Sequence, residues 1–295
     1  MNFNLPFFLC ICLVFCACES KKERLEKEII SLFGKQEGTF AVAFKDLRTG
    51  EEILLREHVS FHAASTMKTP VMMEVFKQAS EGVFSVNDSM IIKNEFKSIA
   101  DGSPFTLDPT TDSEHELYKV LGRKHRIKDL VYQMITESSN LATNILIEMV
   151  DGKNVTQTMR TYGASDIQVL RGVEDSKAFA KGMNNSVTAY DLMLIFQKIA
   201  SGEAVNPEAC QTMVGILLDQ KFNTIIPALL PPNVKVAHKT GWITGVEHDS
   251  GIVYLPDGRS YLLVLLSKNL KDKQLGIDAM AKVSEMIYQY VADKK

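Results

Sequence analysis

Ser65 and Lys68, in the stretch AASTMKTP, stand three apart just before an apolar run that can start a helix. A serine hydroxyl becomes a nucleophile only when a neighbouring base takes its proton. Residues i and i+3 share a helix face, so Lys68 would stand beside Ser65. A lysine can act as that base once burial or a nearby cation lowers its pKa; Met67, Val71 and Met72 are apolar neighbours able to bury it. At a helix N-terminus the serine would also meet free backbone N–H groups and the positive end of the dipole. The same letters describe an N-cap with a surface lysine, and a chain of this size holds about one such pair by chance. Two other stretches bear on the choice. ITESSNLATN puts Ser138 and Asn140 two apart at the entry to an apolar helix, and AHKTGW puts Lys239, Thr240, Gly241 and Trp242 on a strand. Taken singly, these read as a polar helix cap and a strand end with a glycine bulge.

The elements that must position these residues follow from periodicity. Glu23 to Phe33 reads as a charged amphipathic helix after a short tether, and TFAVAFKDL and ILLRE, around RTGEE, read as a hairpin. From Thr66 to about Leu230 the apolar spacing is mostly helical, in TPVMMEVFKQA, IKDLVYQMI, LATNILIEMV, VTAYDLMLIFQKIA and EACQTMVGILLDQ. The polar stretch from Asp101 to Arg126 reads as a long loop. Near the C-terminus NVKVAHKTG, HDSGIVYLPDGRS and YLLVLLSKN are strand-like, with a final helix over 276–293. Strands at both ends and helices between predict an α+β fold, in which the terminal strands share an antiparallel sheet and the helices form an inserted lobe. A cleft between the two is the default site.

All three motifs in this order, on helix, helix edge and strand, resemble the serine β-lactamase and penicillin-binding protein family, with class A β-lactamases nearest. The resemblance covers the chain from the strands near Thr39 to the last helix. It implies the same two-lobed fold and a role for each matched position. Ser65 would attack an acyl carbonyl, Lys68 would share in activating it, and Ser138 would relay a proton to the leaving nitrogen. Asn140 would hold a substrate amide, while Lys239 and Thr240, followed by Gly241, would attract a carboxylate. The N–H groups of Ser65 and Trp242 would form the oxyanion hole. Class A enzymes position a deacylating water with a glutamate between the second and third motifs; here LRGVEDSKAF offers Glu174, with Arg171 as a loop anchor. A surface Glu-Asp pair in a solvated loop is the plainer reading of that stretch. Three departures are visible. Ser139 replaces the usual aspartate of the second motif, and Ala178 stands where the family has an asparagine four after the glutamate. No arginine follows the third motif at the usual distance: Asp249 is near that place, Arg259 lies further on, and Thr244 could assist the carboxylate. A D-alanyl-D-alanine peptidase acting on peptidoglycan stem peptides, or a sensor that stays acylated, therefore stands beside a β-lactam hydrolase. No cofactor is implied.

The bulk composition excludes other classes. A net charge of −3 with pI near 6.1 offers no basic field for nucleic acid. His115-Glu116 is followed by Lys119 where a zinc motif needs histidine, and His58 and His62 fall in a strand-to-helix connection, so no metal site is expected. Four of five cysteines lie in the first 18 residues, in an apolar segment about right for a signal h-region. Ala17-Cys18 followed by ESKKERLEKE resembles a bacterial lipoprotein junction, although no Lys or Arg precedes the apolar run; a plain secretory signal is the alternative. The expected organisation is a leader over 1–17, a tether over 18–30 and a catalytic domain over 31–295. Within that domain the sheet lobe is about 31–64 and 231–295, and the helical lobe about 65–230. The expected location is periplasmic, lipid-anchored at Cys18, with a β-lactam or a stem peptide as the small-molecule partner.

Overall fold

The computed structural model describes residues 19–294; the leader and the Cys18 lipid site lie outside the described residues. The principal strands are β1 (Thr39–Asp46), β2 (Glu52–Leu55), β3 (Lys235–Ile243), β4 (Val246–Tyr254) and β5 (Ser260–Lys268). They form one sheet in the order β2-β1-β5-β4-β3, antiparallel at every step. The helices are α1 (Lys21–Phe33), α2 (Lys68–Ser80), α3 (Ile127–Thr136), α4 (Asn140–Val150), α5 (Gly152–Thr161), α6 (Ser176–Ala180), α7 (Ala189–Ala200), α8 (Pro207–Leu218) and α9 (Lys273–Ala292). The α+β expectation holds, and both chain ends meet where Thr39 faces Lys268 and Asp46 faces Tyr261.

The runs TFAVAF and YLLVLL lack the alternation of a half-exposed strand because both faces of the sheet are covered. Ala41, Ala43, Leu262, Val264 and Leu266 join a core shared with the helical lobe. Phe40, Val42, Phe44, Leu263 and Leu265 join the opposite core, with α1 and α9. The two sets alternate along each strand, as the two-residue repeat of a pleated chain requires.

Two expectations change. The amphipathic helix expected over Glu23–Phe33 is α1, which starts two residues earlier, at Lys21, so the tether drawn to residue 30 shortens. Ser20 and Glu23 close a capping box at its start. Leu25, Ile29 and Phe33, four apart, form a buried stripe, and Phe33 stacks on Phe40 at 4.3 Å. The 101–126 stretch is also more ordered than a loop. Its ends pair, Phe96–Lys97 with Pro104–Phe105 and Ser89–Ile91 with Lys124–Arg126, and Leu107, Asp112, Glu114 and Leu117 are buried.

Replacing the fully buried Ile29 by alanine should lower unfolding stability by about 2–4 kcal/mol. Urea denaturation checks this, and a loss below about 0.5 kcal/mol would show that α1 is not integral to the sheet lobe.

Candidate active site

Ser65 lies in a single 3-10 turn, Ala64–Met67, and α2 begins only at Lys68. The structure thus tightens the expected helix start. Side chains at i and i+3 share a face of such a turn, but the Lys68 ammonium is bonded to Ser138 and Asn140 rather than to Ser65. The turn is built under strain: Ala64 has φ 45°, which side chains other than glycine rarely adopt. Its N–H donates to His62 Nδ1 at 3.0 Å, and the N–H of Ala63 donates to the Asn185 carbonyl at 2.9 Å. These bonds hold the turn against relaxation. Strand β3 closes against it. A Cβ on Gly241 would lie 2.8 Å from Ser65 N and 2.9 Å from Thr66 N, so only glycine permits this approach. Trp242 follows, its ring edge-on to Phe222 at 5.1 Å.

Ser138 sits at φ 57° in the corner between α3 and α4, and its neighbour Ser139, not Ser138, caps α4 through the N–H of Ala142. Lys68 Nζ donates to Ser138 O at 2.7 Å, Ser138 Oγ at 3.2 Å and Asn140 Oδ1 at 2.9 Å, which occupies all three of its protons. Lys239 Nζ donates to Ser138 Oγ at 3.1 Å and to the Thr240 carbonyl at 2.9 Å. With both lone pairs of Ser138 Oγ taken, its own proton is free to be given away. Both lysines are fully buried. Burial pushes the Lys68 ammonium down to about 7, against the pull of Asp112 and Glu174. Burial and the charge of Lys68 hold Lys239 well below the usual lysine range.

Asn140 joins this pair to the loop that carries Glu174: its Nδ2 donates to Glu174 Oε1 at 2.7 Å. Glu174 has φ 62° and is exposed at the cleft mouth, yet partial burial of its carboxyl, reinforced by Asp112, raises it above the usual glutamate range. The loop is fastened at several points. Arg171 donates to the carbonyls of Met183 and Gly172 and to Asn184 Oδ1, and Asn185 bonds the backbone of Leu170 and Arg171. Asp175 accepts from Ser98 Oγ, Ile99 N and Ala178 N.

Ser65, Ser138, Asn140, Glu174 and Trp242 line one cleft of about 640 Å³, with Thr244. Lys68 and Lys239 lie beneath it, through Ser138. Thr240 Oγ1 is buried with no protein partner among the described residues. Asp249 is not in this cleft: it is buried against His238 Nδ1 at 2.8 Å and the N–H of Ile226. Arg259 is tied to Asp257 and to the carbonyls of Val291, Ala292 and Lys294.

Two site-building residues escaped the sequence reading. Asn144 accepts from Val173 N at 2.6 Å and donates to Val173 O at 3.0 Å, fastening the Glu174 loop to α4. Its signal was a polar residue four after Asn140, on the same face of a mostly apolar helix. The loop meets it at Gly172, where a Cβ would lie 2.1 Å from Asn144 Oδ1. Asp112, from the 101–126 stretch, accepts from the first backbone N–H groups of α4; nothing in the pattern TTDSEHE marked it.

A family model described as the β-lactamase enzyme family matches residues 24–291. The extended-spectrum β-lactamase PER-1 of Pseudomonas aeruginosa is 23% identical over 92% of this chain and 88% of its own. A β-lactamase of Bacteroides uniformis is 23% identical over 96% of each. A solved PBP-A variant, described as an acyl-enzyme complex with penicillin G, is 26% identical with a TM-score of 0.77 and covers 91% of this chain and 96% of its own.

Asn144→Ala should strip both bonds from Val173 while leaving α4 intact. Amide exchange over residues 171–180 should then rise roughly ten- to hundredfold. Mass spectrometry of deuterium uptake reads this, and unchanged uptake would show that the loop is held elsewhere.

Proposed function

The chain belongs to the β-lactamase enzyme family, and on that footing we propose that it is a serine hydrolase that opens β-lactam amides through an acyl-enzyme on Ser65. The observation that carries this reading is the unbroken polar chain from Lys239 through Ser138, Lys68 and Asn140 to Glu174, along the cleft into which Ser65 opens.

The steps follow from the groups present. Lys68, once it has lost a proton and released one of its bonds to Ser138 or Asn140 so that its lone pair turns to Ser65, accepts the Ser65 proton as Oγ attacks the lactam carbonyl. The oxyanion is met by the backbone N–H groups of Ser65 and Trp242. Ser138 gives its proton to the leaving nitrogen as the C–N bond breaks, and Lys68 returns a proton to Ser138. Thr240, with its unpartnered hydroxyl, and Lys239 receive the substrate carboxylate. Glu174 then takes a proton from water as the water oxygen attacks the ester carbonyl, and it returns that proton to Ser65 Oγ as the acyl C–O bond breaks. Relatives named as β-lactamases support the substrate class.

One observation favours a second reading. Ala178 is fully buried where the family's asparagine would help hold the water, which suits a D-alanyl-D-alanine peptidase that acylates readily and hydrolyses lactam adducts slowly. The leader and Cys18 support an exported, lipid-anchored protein, where either substrate is met.

The purified protein is incubated with a chromogenic cephalosporin while absorbance and protein mass are followed. Steady turnover, abolished in Ser65→Ala, is expected; a stoichiometric adduct without turnover would overturn the hydrolase and leave the peptidase. Glu174→Gln should let adduct accumulate, with deacylation slowed about 10²–10⁴-fold.

The pH dependence has a definite sign. The base form of Lys68 grows as pH rises through about 7, so acylation should rise there. Deacylation needs ionised Glu174 and should fail on the acid side, above the pH at which an ordinary glutamate titrates. Single-turnover acylation and deacylation rates measured across pH separate the two limbs.

A further inference from the structure

The second motif lacks its usual aspartate, since Ser139 stands in that place, yet the corner it builds is held by a carboxylate from elsewhere. Asp112 is buried, 3% exposed, and comes from the 101–126 stretch. Its Oδ1 accepts from Asn140 N at 2.9 Å and Glu114 N at 3.3 Å. Its Oδ2 accepts from Asn140 N at 3.0 Å, Leu141 N at 3.0 Å and Tyr118 Oη at 2.9 Å. These partners are all donors and they surround the group, so an ionised carboxylate fits and a neutral amide, which must present its own N–H bonds, does not.

The first N–H groups of a helix have no partner inside it, and a carboxylate there gains both hydrogen bonds and the favourable end of the dipole. Ser139 Oγ reaches only Ala142 N, leaving Asn140 and Leu141 to Asp112. Directly upstream is Ser138 at φ 57°, a conformation that persists only where neighbours hold it. Directly downstream the Asn140 side chain bridges Lys68 and Glu174. Asp112 thus grips the backbone between the two side chains that contact Lys68.

We propose that Asp112 is the positioning residue of the second motif, supplying from the 101–126 stretch the carboxylate that Ser139 does not, so that Ser138 and Asn140 stay in register with Lys68. This rests on the reading of Ser65 as the acylated residue. Asp112 does not touch substrate; it acts through the α3–α4 corner. Its charge also bears on Lys68, which faces Asp112 and Glu174 as opposing charges and Lys239 as a like one.

Three variants of the full chain test this: Asp112→Ala, Asp112→Asn, and Ser139→Asp placed in the Asp112→Ala background. Single-turnover acylation by a chromogenic cephalosporin is measured across pH, with amide exchange at Asn140 and Leu141 alongside. Both single variants should acylate roughly ten- to hundredfold more slowly. The double variant should recover most of the loss. In Asp112→Asn the midpoint of the acylation profile should move to lower pH, because Lys68 loses an attracting charge; a role confined to stability would leave that midpoint in place. Folded variants that acylate at the parental rate, a midpoint that does not move, or a relocated carboxylate that restores nothing would each overturn the proposal.

Should Asp112→Ala fail to fold, the midpoint in Asp112→Asn decides. Should the parent protein form no adduct, the reading of Ser65 fails. The exchange arm then still tests the grip: faster exchange at Asn140 and Leu141 sustains it, and unchanged exchange refutes it.

Discussion

The burial of two lysine ammonium groups around one serine oxygen is the constraint on which the rest of the site depends. Lys68 and Lys239 are fully buried, and both donate to Ser138 Oγ. Removing two like charges from water is strongly unfavourable unless they are paired or lose their protons. Among the described residues neither pairs with a carboxylate. The fold surrounds them with carbonyl, hydroxyl and amide oxygens and keeps Asp112 and Glu174 at one remove. The result is a lysine that titrates near neutrality, the condition under which an amine can take a serine proton.

Much of the surrounding structure can be understood as fixing those oxygens. Ser138 and Glu174 both take left-handed backbone angles, as does Ala64 beside Ser65. Each strained residue is secured by its surroundings: Ala64 by the neighbouring His62 ring within a turn tied to distant Asn185, Ser138 by Lys68, and the Glu174 loop by Asn144 and Asn140. Three separate stretches of chain are therefore locked to one another through side-chain amides, imidazole and ammonium, with little contribution from regular secondary structure.

The sequence reading recovered the parts of this that depend on residue type and local period. Strands at both ends, helices between, and three motifs in order were legible because apolar spacing and Ser, Lys and Gly at short range encode them directly. The lone glycine of the third motif could be located but not explained; its reason, the 2.8 Å approach to Ser65 N, is a contact between segments about 175 residues apart. Asn144 and Asp112 were missed for the same cause. A buried amide facing a loop looks like any polar residue in a helix, and a carboxylate receiving N–H groups 28 residues away leaves no periodic trace. The α1 helix was legible in its one-sided apolar spacing; only the tether boundary drawn at residue 30 ran into it.

The pairing of β1 with β5 joins residue 39 to residue 268 and makes the sheet a late event in the life of the chain. While the polypeptide is being made, the Ser65 turn and the α3–α4 corner can exist as helical fragments, but β1 has only the short β2 to pair with until the last strands emerge. Contacts of such long sequence separation close slowly. The third motif lies on β3, within that late-arriving group, so Gly241 reaches Ser65 only when nearly the whole chain is available. A nascent or threaded chain would therefore carry the serine and lysine without the strand that completes their cleft, and would stay chemically silent until the two ends meet.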